Sequence, residues 1–253
     1  MMRPQEVHGG VYIVGSPELT APEDCCVYLI DLGDLVMIDA GAGRSISAIL
    51  ENVASLELSH KNIAAVVATH CHIDHIGGIP QLRERTGSQV IAHELDAAAM
   101  EAGDPVRTAA DWYNLSYPPT PVDYKLSEVR EVLKFEKGEL LCLHTPGHTP
   151  GSISIILDHD GKRVLFGQDI HGPFADSFGS DLPAWRKSME VLLGLHADIL
   201  CEGHFGVFRP ETEVERYIQN YLKVYGENKK DNGSRSAGPE GALKIRNKHS
   251  RGK

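Results

Sequence analysis

Four apolar runs in this chain each stop on a histidine or an aspartate. The run "IAAVVAT" leads into His70, His72, Asp74 and His75; "ELLCLHTPG" leads into His148, "KRVLFGQ" into Asp169 and "ADILCEG" into His204. Short apolar runs bounded by turn residues read as buried strands. Strands of one sheet end on a common rim, and open α/β sheets place their sites along that rim. Five imidazoles and two carboxylates on one rim exceed what a single tetrahedral ion uses. They fit two ions with one carboxylate between them. A lone His-x-His is ordinary surface or core chemistry, but here four separate loops would have to be accidents together.

Spacing within the first motif, "THCHIDH", divides the labour. His70 and His72 are two apart, so on an extended segment they share a face and can hold one ion with His148. Asp74 and His75 are adjacent, just ahead of a helix expected to begin at Ile76, Gly77 and Gly78. Their side chains diverge from the first pair and can hold a second ion with His204, with Asp169 bridging. Cys71 and Ile73 are spacers facing away. Glycines at 77, 78, 147, 151 and 203 let the backbone come close.

The rest of the chain alternates strand and helix patterns. "VYIVG", "CVYLIDLG" and "DLVMIDAG" read as strands. Residues 44–57 carry Ile46, Ile49, Leu50 and Val53 at helical spacing. A helix follows in "GGIPQLRERTG", then the strand "QVIAH". Beyond residue 125, "EVLKFEKGELLCLHTPGHTPGSISIIL" and "KRVLFGQDI" return to strands. "PAWRKSMEVLLGL" is helical, "ADILCEGH" a strand, and "ETEVERYIQNYLKVYG" a last helix. The pattern fits two mixed sheets packed face to face with helices outside, a four-layer α/β sandwich, and equally a doubly wound sheet. Residues 1–226 read as one domain. Residues 94–125 start helical and turn irregular; they read as an insertion near the active-site face. Its Trp112, Tyr113 and Tyr117 form either an apolar substrate wall or a small satellite core. Residues 227–253 read as a disordered polar tail.

Bulk properties limit the partners. The 253 residues suit one large domain or two small ones. No apolar stretch reaches the roughly 18 residues of a membrane helix, and "MMRPQEVHGGVYIVG" lacks a signal-peptide core. Five cysteines (Cys25, Cys26, Cys71, Cys142 and Cys201) without zinc-ribbon spacing read as reduced thiols of a cytoplasmic protein. Net charge is −10, although the tail from Gly226 carries eight Lys/Arg against three Asp/Glu. The acidic body disfavours nucleic acid. The expected partner is a small-molecule substrate, with no membrane partner and a homodimer left open.

With these residues in place, the chain resembles the metallo-β-lactamase-fold superfamily. "THCHIDH" matches the family's His-x-His-x-Asp-His signature, and "HTPGHTPGS", "GQD" and the Gly-His at 203–204 follow in the family's order, across roughly residues 10 to 210. The resemblance implies an αβ/βα sandwich with metals at one edge of the two sheets. It implies one metal on His70, His72 and His148, another on Asp74, His75 and His204, and Asp169 shared. Two divalent ions are expected, zinc first, with iron or manganese as alternatives. Asp39, closing "VMIDAG", is expected to accept a hydrogen bond from a ligand imidazole; the alternative is a helix N-cap or turn aspartate before Gly41. Asp74 doubles as the catalytic group that orients the nucleophile and handles its proton.

The implied activity is metal-dependent hydrolysis of a small ester, thioester or lactone by a bridging hydroxide. The alternatives are a mononuclear non-haem iron dioxygenase acting on a thiol or persulfide, and a non-catalytic sensor. Glutathione thioesterases of the family carry a C-terminal helical domain with basic residues, for which the stretch between Phe208 and the expected disordered tail is too short. RNA-processing members carry large insertions or a basic arm, flavodiiron proteins a flavin domain, and secreted β-lactamases a signal peptide. His171, two after Asp169, either joins the substrate pocket or is a loop histidine. His93 is read as packing or capping the next helix.

Overall fold

The structure is a computed structural model and describes residues 3–58 and 61–227. The tail reading for residues 228–253 lies outside the described residues. Thirteen strands form two sheets among the described residues. The first sheet runs in spatial order β1 (Gln5–His8), β2 (Val11–Gly15), β3 (Val27–Leu32), β4 (Asp34–Ile38), β5 (Ile63–Val67), β6 (Gln89–His93), β7 (Tyr124–Leu126). The second runs β13 (Gly206–Phe208), β12 (Ile199–Glu202), β11 (Lys162–Gln168), β10 (Ile153–His159), β9 (Gly138–His144), β8 (Arg130–Phe135). Both sheets are mixed. Strands β4 to β7 pair in parallel, as do β11 and β12, and the remaining pairs are antiparallel.

The central strands are apolar along most of their length because both of their faces are covered. Along β4, Leu35 and Met37 point to one core cluster while Val36 and Ile38 point to another. Along β3, Leu29 and Tyr28 divide in the same way. One cluster lies between the sheets, joining Ile30, Val67 and Ile91 to Leu140, Ile155 and Phe166. A second joins the first sheet to α1 (Ile46–Ala54), α3 (Ile79–Thr86) and α4 (Glu94–Ala102). A third joins the second sheet to α5 (Leu182–Leu193) and α6 (Glu211–Glu227) through Trp185, Met189, Val214 and Ile218. The result is helix, sheet, sheet, helix: the four-layer sandwich, not the doubly wound alternative.

One boundary differs from expectation. The helical turn after the His-rich stretch is α2 (Ile73–Ile76) and contains Asp74 and His75, so it does not begin at Ile76–Gly78. His72, in extended conformation, is its N-cap, and the carbonyl of His72 accepts from His75 and Ile76 N–H. The paired glycines instead seat the α2–α3 junction on a neighbouring loop. A Cβ on Gly78 would stand 2.1 Å from the Ala40 carbonyl oxygen, and one on Gly77 2.3 Å from that of Ala42.

Candidate metal centre

Each side chain of the centre is delivered by the end of a strand. Strand β5 ends before Thr69, where the chain leaves the sheet and carries His70 and His72. One turn later α2 turns Asp74 and His75 to the other side. His148 comes from the turn after β9, Asp169 from the end of β11 and His204 from the end of β12. His70, His72, Asp74, His75, His148 and Asp169 are all buried. His204 keeps about a fifth of its side chain exposed.

The donor atoms converge in overlapping groups. One atom each of His70, His72 and His148 lies within 4.8 Å of the others, and the same holds for Asp74, His75 and His204. Asp169 lies between the groups. Its Oδ1 is 3.2 Å from His75 Nε2, while its Oδ2 is 3.2 Å from His204 Nε2 and 3.6 Å from His148 Nε2. Asp74 Oδ2 is 3.2 Å from His204 Nε2.

Supporting oxygens fix the rings. His75 Nδ1 lies 2.8 Å from Asp39 Oδ2, which leaves Nε2 facing the centre. Asp39 also accepts from the Thr69 N–H and hydroxyl, both at 2.8 Å. It does so from a left-handed backbone (φ 60°), a conformation aspartate tolerates better than most residues. His148 Nδ1 donates to the Pro173 carbonyl at 2.8 Å. Such partners hold a ring in the tautomer that offers its other nitrogen.

The electrostatics suit a cation. Burial, reinforced by neighbouring imidazoles, pushes His70 and His72 well below the usual histidine range. Burial brings His148 down to about 4. These three rings are neutral lone-pair donors at pH 7. Burial opposes ionisation of Asp169 and Asp74 as well, but His204 and His75 outweigh it and hold both carboxyls below their usual range. The Nε2 atom of His70 is buried without a hydrogen-bond partner, and His148 Nε2 stands 2.9 Å from His72 Nδ1, two ring nitrogens aimed at each other. Buried polar atoms are rarely left so, and a divalent ion among these nitrogens would satisfy them.

Residues around the centre sort differently. Cys71 turns its Sγ to the Arg107 carbonyl at 3.4 Å, and burial raises its thiol pKa. His93 caps α4, accepting the Leu95 N–H, and stacks on His144 at 3.9 Å. Trp112 is exposed, with its ring 4.6 Å from Phe178, whose own ring lies 4.3 Å from His72. Burial, then the nearby carboxylates of Asp74 and Asp169, raise the Tyr113 hydroxyl pKa. Tyr117 does not join the rim: it packs in the core beside Met100, Ala110 and Val122. His171 lies beside His204, with ring centroids 5.1 Å apart.

Three acidic residues organise the site without having stood out in the sequence. Asp96 Oδ2 accepts from the Cys71 N–H (2.9 Å) and the Thr149 hydroxyl (2.7 Å), and its Oδ1 from the Gly151 N–H (2.8 Å). It thereby ties the His70–His75 segment to the His148 loop. Glu202 accepts from the His204 and Phe205 N–H groups and from His171 Nδ1. Asp24 accepts from the Ala42 N–H and the Ser45 hydroxyl, bracing the loop after Asp39. An aspartate inside "ELDAAAMEA" and a glutamate two before a histidine look like surface charges. Only their placement at the inward end of an element would have betrayed them.

Comparison with known proteins agrees with this geometry. The family model for the metallo-beta-lactamase superfamily matches residues 21–204. A protein of Aquifex aeolicus is 32% identical over 182 residues, covering 68% of this chain and 79% of its own. The acyl-coenzyme A thioesterase MBLAC2 of Gallus gallus is 31% identical, covering 76% of each chain. Among solved structures, a metallo-beta-lactamase from Cronobacter sakazakii superposes with a TM-score of 0.75 at 22% identity, covering 90% of this chain and 97% of that one. The last likeness speaks to the fold alone. The matched family model, spanning every residue of the centre from Asp39 to His204, shows that this chain belongs to the metallo-β-lactamase superfamily of metal-binding hydrolases.

Proposed function

We propose that the protein is a dinuclear metallohydrolase acting on a small thioester, ester or lactone. One observation carries the reading: Asp169 lies within 3.6 Å of imidazoles from both donor groups, the position of a shared carboxylate. His70, His72 and His148 would hold one cation, and Asp74, His75 and His204 the other. Two divalent cations, zinc first, would lower the pKa of water and polarise a carbonyl oxygen when bound there.

The chain's own residues do the rest. Asp39 holds His75 in the tautomer that turns Nε2 inward. Asp74, ionised and buried, orients the attacking water and takes its proton. Asp96 keeps the two histidine-bearing segments at fixed separation. The exposed rings of Trp112 and Phe205 flank the rim and offer apolar contact to an acyl group. The relative named acyl-coenzyme A thioesterase supports placing thioesters first. Five free, buried thiols support a reducing, cytoplasmic setting.

The test is a panel of acyl thioesters, lactones and phosphodiesters with zinc, manganese and iron, run beside a metal count. The reading expects turnover of a thioester or lactone that chelation abolishes and zinc restores. His72→Ala with unchanged turnover on the best substrate would refute it.

A further inference from the structure

We propose that His171, braced by Glu202, is an additional imidazole ligand to the cation position bounded by Asp169 and His204. The inference rests on the two-cation reading and adds a residue to it. Its ground is a repeated construction. His75 spends Nδ1 on Asp39 and His148 spends Nδ1 on the Pro173 carbonyl, so each turns Nε2 to the centre. His171 is built the same way: Nδ1 lies 2.9 Å from Glu202 Oε1. A histidine that donates one ring N–H to a carboxylate and offers the other nitrogen is the usual form of a metal-bound imidazole.

Position agrees with construction. One donor atom each from Asp169, His171 and His204 lies within 4.8 Å of the others. The rings of His171 and His204 meet nearly edge-on, at 80°. The backbone holds His171 in place, since its carbonyl accepts the Tyr225 hydroxyl at 2.7 Å and the Gly172 N–H returns to the Asp169 carbonyl at 3.3 Å. Glu202 has no exposed surface. A buried carboxylate is costly unless bonded. Here one oxygen takes the His204 and Phe205 N–H groups at 2.7 and 2.8 Å, and the other takes His171. Glu202 therefore positions His204 and His171 together, which a surface histidine would not require.

The experiment uses the full chain stripped of metal and titrated with Co(II) against a chromogenic chelator, with the visible spectrum recorded. Wild type takes up two ions. In His171→Ala the tighter ion is expected to bind as before and the weaker one about 10- to 100-fold less tightly, with a more intense visible band from the lower coordination number. Glu202→Gln is expected to weaken the same ion. A second measurement needs no variant. Proton NMR of the Co(II)-loaded wild type should show hyperfine-shifted exchangeable imidazole protons from His171 as well as from His70, His72, His75, His148 and His204. Absence of the His171 signal, or unchanged affinity and spectrum in His171→Ala, overturns the proposal and leaves His171–Glu202 a structural hydrogen bond. Failure of wild type to bind a second ion at all contradicts the two-cation reading itself.

Discussion

Asp96 is the place where the structure makes its sharpest energetic statement. Asp96→Ala would strip the acceptor from two buried N–H groups, those of Cys71 and Gly151. The Thr149 hydroxyl also loses its bond to Asp96 but keeps Ser152 Oγ at 2.8 Å, so it counts for little. An orphaned buried N–H costs about 1–3 kcal/mol, so the two together cost about 2–6 kcal/mol. Working against this, burial raises the Asp96 pKa even with its bonds in place, so removing the carboxylate relieves some desolvation. The lower half of the range, about 2–4 kcal/mol, is therefore expected. That is a large part of an ordinary stability of about 5–15 kcal/mol. Urea unfolding of the metal-free protein measures it, with an unchanged slope confirming that both variants unfold the same structure. Because Asp96 joins the segments bearing His70, His72 and His148, metal affinity should fall as well. A loss under about 0.5 kcal/mol, at the level of a neutral surface change, would refute the clamp, for then the two loops would be held by something else.

Other consequences are as direct. Asp39→Asn can no longer fix the His75 tautomer and should weaken metal binding about 10- to 100-fold, read by chelator competition. Gly147→Ala should destabilise by about 1–3 kcal/mol or more, because φ is +144° and a Cβ would stand 2.3 Å from that of Trp185; thermal unfolding decides it. In the metal-free protein, Asp169 and Asp74 outweigh burial and raise His204 to about 10, above its ordinary 6.5. A raised folded pKa gives stability that is full below pH 6.5 and lost as pH climbs toward 10. Melting temperature should therefore fall across that window in chelated protein, and the fall should vanish when metal holds the ring neutral.

The parts of this architecture legible in the sequence were those with a periodic or dense signal. The central strands read clearly because burial on both faces gives them unbroken apolar runs, as in the Leu35–Ile38 stretch of β4. The clustering of His70, His72, Asp74 and His75 was legible because no ordinary loop needs such density. Three elements were not. Strand β1, "QEVH", is an edge strand with polar exposed positions, β7 has three residues, and so does β13. The start of α2 was missed because its N-cap is a histidine with no side-chain cap bond, so the Ser/Thr/Asp/Asn signal is absent. Gly77 and Gly78 drew attention instead, although their role is close contact with the Ala40–Ala42 backbone. The sequence leaves Trp112, Tyr113 and Tyr117 open between a substrate wall and a satellite core, and the structure separates Tyr117 from the other two. A 3-10 turn ends at Tyr113, and the chain then dives inward. Asp96 and Glu202 stayed hidden because a buried carboxylate is betrayed only by the N–H groups that converge on it.

Metal content measured together with turnover tests the account most directly. Protein purified without chelator should contain about two zinc-class ions per chain and hydrolyse a thioester or lactone, with activity lost on chelation and regained as the second ion returns. One iron per chain, with oxygen consumed and a thiol oxidised, would contradict it.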